Sequence, residues 1–177
     1  FRIWNNWDYL YGALRGMPTH ITSSTSQNSV TNLVKNYYTN QINQLSGFTP
    51  DQIASVNTLE NKFIISKPIQ TEQYQNSEKL MSIRTLYKNI GTNVNFPKIV
   101  PDIIQAKKVV NTNLPFEDRV RFLVYDNSGR PTLISLEKGT KTKYFYNSKN
   151  QVTMKIENYV AFKGIIPIIE EQYFETK

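Results

Sequence analysis

Residues 119–158 read RVRFLVYDNSGRPTLISLEKGTKTKYFYNSKNQVTMKIEN, and this stretch decides the architecture of the chain's second half. Val120, Phe122 and Val124 alternate with Arg121 and Leu123, the period of two that a half-buried strand requires. Asn127, Ser128 and Gly129 supply turn chemistry, and a second strand is predicted over 132–137. Gly139 reverses the chain before a strand over 142–146. The turn Asn147, Ser148, Lys149, Asn150 then leads to strands over 152–162 and, beyond Gly164, over 165–174. The reading is an antiparallel meander.

Working back towards the N-terminus, the pattern turns helical. Val30, Leu33, Val34, Tyr37, Gln41, Ile42 and Leu45 fall on one face at i, i+3, i+4 spacing behind a cap at Asn28 or Ser29, which predicts a helix over 30–45. Gly47 ends it, and Thr49, Pro50 and Gln52 restart a helix as cap, first-turn proline and capping-box partner. Phe63, Ile64 and Ile65 before Pro68 give a strand over 59–67. Residues 77–90 fit both periods and are read as a helix through Leu80, Ile83, Leu86, Tyr87 and Ile90. Pro101 or Asp102 opens a brief helix through residue 110. At the front, residues 2–14 form a short helix stopped by Gly16 and Pro18, and the Thr-, Ser-, Gln- and Asn-rich run 19–29 forms a loop or hinge. Helices first and strands later predict an α+β fold, with N-terminal helices packed on a curled antiparallel sheet. Residues 1–27 are the first helix and polar hinge, and 28–177 a single α+β domain.

At 177 residues, with 39% hydrophobic and 12% aromatic content, one packed domain is the natural size. With no cysteine and only His20, thiolate sites, cysteine nucleophiles, the usual triads and multi-histidine metal sites are excluded, so no metal or other cofactor is expected. The longest apolar run, Ile165, Ile166, Pro167, Ile168, Ile169, falls far below the roughly 20 residues of a membrane-spanning helix. Phe1, Arg2, Trp4, Trp7, Tyr9 and Tyr11 have the aromatic and basic density of a membrane interface, which predicts an anchor just upstream. Trp4, Trp7, Tyr11 and Leu14 equally fit the apolar stripe of the first helix. The absence of Asn-x-Ser/Thr, together with an Asn, Lys, Ile and Tyr bias suggesting an AT-rich genome, places the domain on the outer face of a bacterial cell membrane.

Catalysis must then rest on carboxylates. Glu170 and Glu171, in a strand, point to opposite faces, and Glu117 with Asp118 sits at a strand entrance where solvated charge is ordinary. No catalytic residue is assigned. The net charge of +7 gathers Lys138, Lys141, Lys143 and Lys149 around Tyr144 and Tyr146. Such interleaving contacts nucleic acid or another anionic polymer weakly and without sequence preference, although a solvated edge that resists mispairing reads the same. Trp4, Trp7, Tyr11, Leu14 and Tyr38 are the candidate interface for self-association, most plausibly as a dimer.

Two family resemblances follow. Tyr125, Asp126, Gly129 and Arg130, with Tyr146, Asn147, Gln151 and Val152 one hairpin later, are similar to the tyrosine–aspartate repeats of large bacterial toxin shells. Those repeats bury a core only in several copies, and nothing before Pro115 continues the pattern. The upstream anchor, first helix, polar hinge, 30–45 helix, Thr49 corner and later meander resemble the VirB-type assembly-factor domain of conjugative type IV secretion channels, over about residues 30–174. That resemblance implies a nuclear-transport-factor-like, cystatin-like cone. It also implies a membrane-anchored, non-enzymatic, self-associating assembly factor contacting other channel proteins of a Gram-positive DNA-transfer machine. The same cone serves enzymes that need an acid or base inside it, for which Asp118, Glu137 and Glu157 are the candidates.

Overall fold

The computed structural model describes residues 3–8, 17–25, 30–64, 68–93, 95–108 and 114–160. Its strands are β1 (Ile3–Asp8), β2 (His20–Thr25), β3 (Thr31–Tyr37), β4 (Gln70–Gln75), β5 (Glu78–Asn89), β6 (Ile99–Lys108), β7 (Glu117–Tyr125), β8 (Pro131–Leu136), β9 (Lys141–Tyr146) and β10 (Val152–Glu157). A 3₁₀ helix (Thr39–Gln44) and one α-helix, α1 (Pro50–Asn61), are inserted between β3 and β4. All ten strands form one antiparallel sheet in strict sequence order.

This overturns the expected cone of N-terminal helices on a curled sheet. Residues 3–8 of the predicted first helix are strand β1, pairing Trp4 with Ser24 and Trp7 with Ile21. The i, i+3 spacing that suggested a helical stripe has no such meaning in extended backbone. Residues 20–25 of the predicted hinge are strand β2, in the same sheet. The predicted 30–45 helix is β3 followed by the 3₁₀ helix. Residues 78–89 are a strand, β5, and the helix predicted from Pro101 is the middle of β6. The strand predicted from Leu59 is instead the end of α1, after which Phe63 takes a φ of 57°; residues 65–67 lie outside the described set. Tyr11, Leu14 and the strand predicted over 165–174 also lie outside it. The strand predicted over 152–162 stops at Glu157.

The features read from local chemistry agree with the structure. Thr49 caps α1, its hydroxyl accepting the Gln52 amide at 3.4 Å while the Gln52 side chain accepts the Thr49 amide at 2.9 Å. Pro50 fills the first turn, and the β7–β10 meander forms with its predicted turns.

Burial is uneven. Ile42, Val56 and Ile69 make the central cluster, with Tyr37, Leu45, Phe48, Ile53 and Tyr87 packed around it. Each such side chain removed from water contributes about 1.5–3 kcal/mol. The insertion therefore packs over the middle of the sheet, from β3 to β6. Beyond Val100 no described apolar residue is fully buried, so among the described residues β7–β10 is held by its ladders and cross-strand side-chain pairs.

Two polar side chains organise the covered region. Glu72 is only 5% exposed and accepts from Lys79 at 2.5 Å, Tyr74 at 2.5 Å, Gln70 at 3.1 Å and Tyr37 at 3.3 Å, joining β3, β4 and β5. Burial works to raise its pKa, but the Lys79 and Tyr74 bonds outweigh it and hold the carboxyl below its ordinary value. Arg84 lies with its guanidinium carbon 3.9 Å from the Phe116 ring centre and 5.0 Å from that of Phe48. It donates to the Ser46 carbonyl at 3.1 Å and to Gln105 at 2.7 Å. This ties the insertion to the sheet through charge-assisted bonds and cation–π contact.

Candidate functional site

The residues singled out in the sequence do not converge. Tyr38 is 4% exposed, and its hydroxyl donates to the Pro18 carbonyl at 2.9 Å, so it is core rather than interface. Lys138 and Lys141 flank the start of β9, while Lys149 lies in the turn beyond its end. Six residues of strand, about 20 Å, separate the two groups. Lys143, between them, lies over Phe145 at 5.1 Å and Tyr159 at 4.7 Å. The basic cluster is thus a linear scatter along one strand. Of the default acids, Asp118 accepts from Gln105 at 2.6 Å and pairs with Arg121, Glu137 pairs with Arg119, and Glu157 pairs with Lys155 at 2.5 Å. Each of these carboxylates is engaged by a base; Arg119 also holds Glu117 at 2.7 Å, and Asp118 and Glu137 line one shallow pocket with Arg119 and Arg121. Among the described residues no three His, Asp or Glu side chains cluster as metal ligands. No described helix is long and apolar enough to cross a membrane.

What the structure does bring together is a series of turns. In a sequential meander every second turn lies at the same end of the sheet, which places the β5–β6, β7–β8 and β9–β10 turns side by side. The last two are chemical copies. Asp126 Oδ1 accepts the Ser128 and Arg130 amides at 2.9 Å, and Asn147 Oδ1 accepts the Lys149 and Gln151 amides at 2.9 and 3.0 Å. The Asp126 amide donates to the Arg130 carbonyl as Asn147 does to that of Gln151. Gly129 and Asn150 hold the same position at φ 83° and 65°. Only such residues enter this left-handed region cheaply.

The β5–β6 turn is a longer and looser relative that the sequence concealed: it shares the side-chain bonds, while its backbone closure runs from the Ile90 amide to the Lys98 carbonyl, one residue later than in the other two. Asn89 Oδ1 accepts the Gly91 amide at 2.9 Å and the Lys98 amide at 3.0 Å, so Asn89 stands for Asp126 and Lys98 for Arg130. The residues between hide the match from any fixed spacing. A Cβ on Gly91 would fall 2.7 Å from the Lys98 amide nitrogen, which requires glycine there.

Each turn is also fastened to the next. Arg130 pairs with Asp126 at 2.6 Å within its own turn, and reaches the Asn147 carbonyl at 3.3 Å and Asn150 Oδ1 at 2.8 Å in the following one. Its guanidinium lies 4.6 Å from the centre of the Tyr146 ring. One turn earlier, Lys98 donates to the Asn127 carbonyl and Lys88 lies 5.7 Å from the Tyr125 ring centre. The tyrosines repeat as well: Tyr125 donates to the Pro101 carbonyl, and Tyr146 to that of Pro131 at 2.9 Å. Backbone bonds to Arg130, then its side chain, keep the Asp126 carboxyl below its ordinary pKa despite desolvation, and burial raises the Tyr125 hydroxyl. Both groups stay in the charge state that the fastening uses. At the closing position of the last turn Gln151 replaces the cation.

A second feature lies beneath α1. Its N-terminal half stands off the ends of β5 and β6, leaving a groove of about 510 Å³. The floor carries the Lys88–Asp102 ion pair at 2.8 Å. Asp102 occupies the bulge where β6 shifts register against Leu86 and Tyr87, and bulges commonly re-aim side chains in this way.

Compared with known proteins, the chain matches no family model, no curated sequence and no solved structure.

Proposed function

We propose that this chain is a non-enzymatic scaffold: a length of β-meander wall built from hairpin modules, each fastened to the next through an Asx-capped turn, a closing cation and a tyrosine. The observation that carries this reading is the threefold recurrence of the turn's side-chain bonds, with Asn89 and Lys98, Asp126 and Arg130, and Asn147 and Gln151 in equivalent places. A sheet with few buried apolar groups among the described residues of its second half gains most of its order from neighbouring copies. The described carboxylates Asp118, Glu137 and Glu157 are each tied up in an ion pair with a neighbouring base, which suits a wall. Among the two resemblances, the recurrence favours the tyrosine–aspartate repeats of toxin shells. The secretion-channel resemblance drew on helices at 2–14 and 30–45, where the described residues are largely strands.

The test is to add another copy. A variant carrying a second copy of residues 117–157 after Val160 should melt several degrees higher, because the added strands extend the ladder from β10. The β10 amides should also gain hydrogen-exchange protection. Independent unfolding of the added copy, with β10 protection unchanged, would refute the modular reading.

A further inference from the structure

We propose that the groove between α1 and the ends of β5 and β6 is a binding site for a neutral saccharide unit. Its volume of about 510 Å³ lies in the range of small-molecule sites and offers room for one or two sugar rings. Its chemistry selects among ligands. Ser55, in the middle of α1, is 5% exposed and lines the groove, and its hydroxyl makes no hydrogen bond with any described residue. Its Oγ is not sealed from solvent, the one buried and unpartnered side-chain atom among the described residues being Thr39 Oγ1, so the hydroxyl faces the groove open to a partner there. Tyr87, half-buried, adds a second hydroxyl from the floor: its ring packs against the Ile42, Val56 and Ile69 cluster, and its hydroxyl likewise bonds to no described residue. Asn89 is oriented by the two amides that occupy its Oδ1, which leaves its NH₂ as a fixed donor at the groove's edge.

The charges exclude the main alternatives. Asp51 and Asp102 stand against Lys88 alone, so the local charge is negative and repels phosphates and carboxylates. Two carboxylates, one already engaged by Lys88, are too few oxygen ligands for a hard cation. The polar walls disfavour an apolar ligand. The Lys88–Asp102 pair presents a donor beside an acceptor, which suits the adjacent hydroxyls of a pyranose, and Ser55, Tyr87 and Asn89 suit others. This site is independent of the fastened turns, apart from sharing Lys88 and Asn89 with the first of them, so it stands or falls separately from the scaffold reading.

The experiment is an amide-resolved NMR titration of the whole chain with methyl β-glucoside, maltose, cellobiose and chitobiose, each to about 50 mM, since unassisted sugar sites commonly hold in the millimolar range. The expected result is saturable shifts confined to residues 49–58, 87–89 and 99–102 for at least one sugar. Ser55→Ala and Tyr87→Phe should each weaken that binding about three- to tenfold, the loss of one hydrogen bond, with Ser135→Ala leaving it unchanged. Absence of saturable shifts with every sugar overturns the proposal. Binding indifferent to Ser55→Ala and Tyr87→Phe also overturns it, as do shifts of these residues produced by sodium phosphate and not by sugars.

Discussion

Replacing Glu72 with alanine removes the acceptor on which four donors converge, and the consequence can be sized from the geometry. Breaking a buried, hydrogen-bonded ion pair from one side costs about 3–5 kcal/mol. Lys79 is one-third exposed, so water recovers part of its loss, but Tyr74 and Gln70 lose acceptors inside the sheet. The expected loss is about 3 kcal/mol. For a chain of this length, that lowers Tm by about 6–12 °C. Urea and thermal unfolding followed by circular dichroism measure it, and Lys79→Met in a double-mutant cycle separates the ion pair from the tyrosine bonds.

The pH dependence has a definite sign. Because the native Glu72 pKa lies below its unfolded value, near 4.3 in ordinary peptides, its stabilisation is complete above about pH 4.3 and is lost as pH falls through the native value. The gap between wild type and Glu72→Ala should therefore narrow below about pH 4. Tyr74 runs the other way. Burial and the bond to Glu72 raise its pKa, so its contribution is present below about pH 10 and fades at higher pH. A Glu72→Ala loss below about 1 kcal/mol at neutral pH, or a gap that widens in acid, would refute this account of the cluster.

Arg130→Ala should leave the protein folded but unfasten the last two turns. Amide exchange at Lys149 and Gln151 should then quicken about tenfold, the equivalent of one charge-assisted bond, and unchanged exchange would count against the fastening. Lys138→Gly should stabilise, because Lys138 holds a φ of 72° with its side chain in solvent. A gain of about 0.5–1 kcal/mol in urea unfolding is expected, and a loss would show that its side chain has a role of its own.

How much of this was legible depended on whether a signal was local. The α1 cap was readable because Thr49, Pro50 and Gln52 act on one another within a single turn. The β7–β10 meander was readable because its turns carry Gly, Asn and Ser at the bends. The β3 and β5 strands were missed because the insertion covers only part of one sheet face. Their burial is graded rather than strictly alternating, and apolar residues fall at helical as well as strand intervals. One available signal was the pair Asn76–Ser77, whose φ values of 48° and 71° make the tight, right-twisting hairpin turn between β4 and β5. Pro101 was read as a helix opener, yet it sits in β6 beside a bulge, with its carbonyl taken by Tyr125. Of the candidate sites, the first two repeats were visible in Tyr125, Asp126, Tyr146 and Asn147. The third was hidden by its longer loop, and the groove joins residues too distant in sequence for any spacing to reveal.

The strict order of the ten strands has an evolutionary and kinetic corollary. Since, among the described residues, each strand bonds to its predecessor and its successor, most of the ladder can form while the chain is still leaving the ribosome, with the longest loop closure across the α1 insertion. The same order sets a parity rule on length variation. Gain or loss of one strand would send every later turn to the opposite end of the sheet and separate Lys98, Arg130 and their acceptors. Gain or loss of two leaves all of them aligned, so homologous chains should differ in length by whole hairpins.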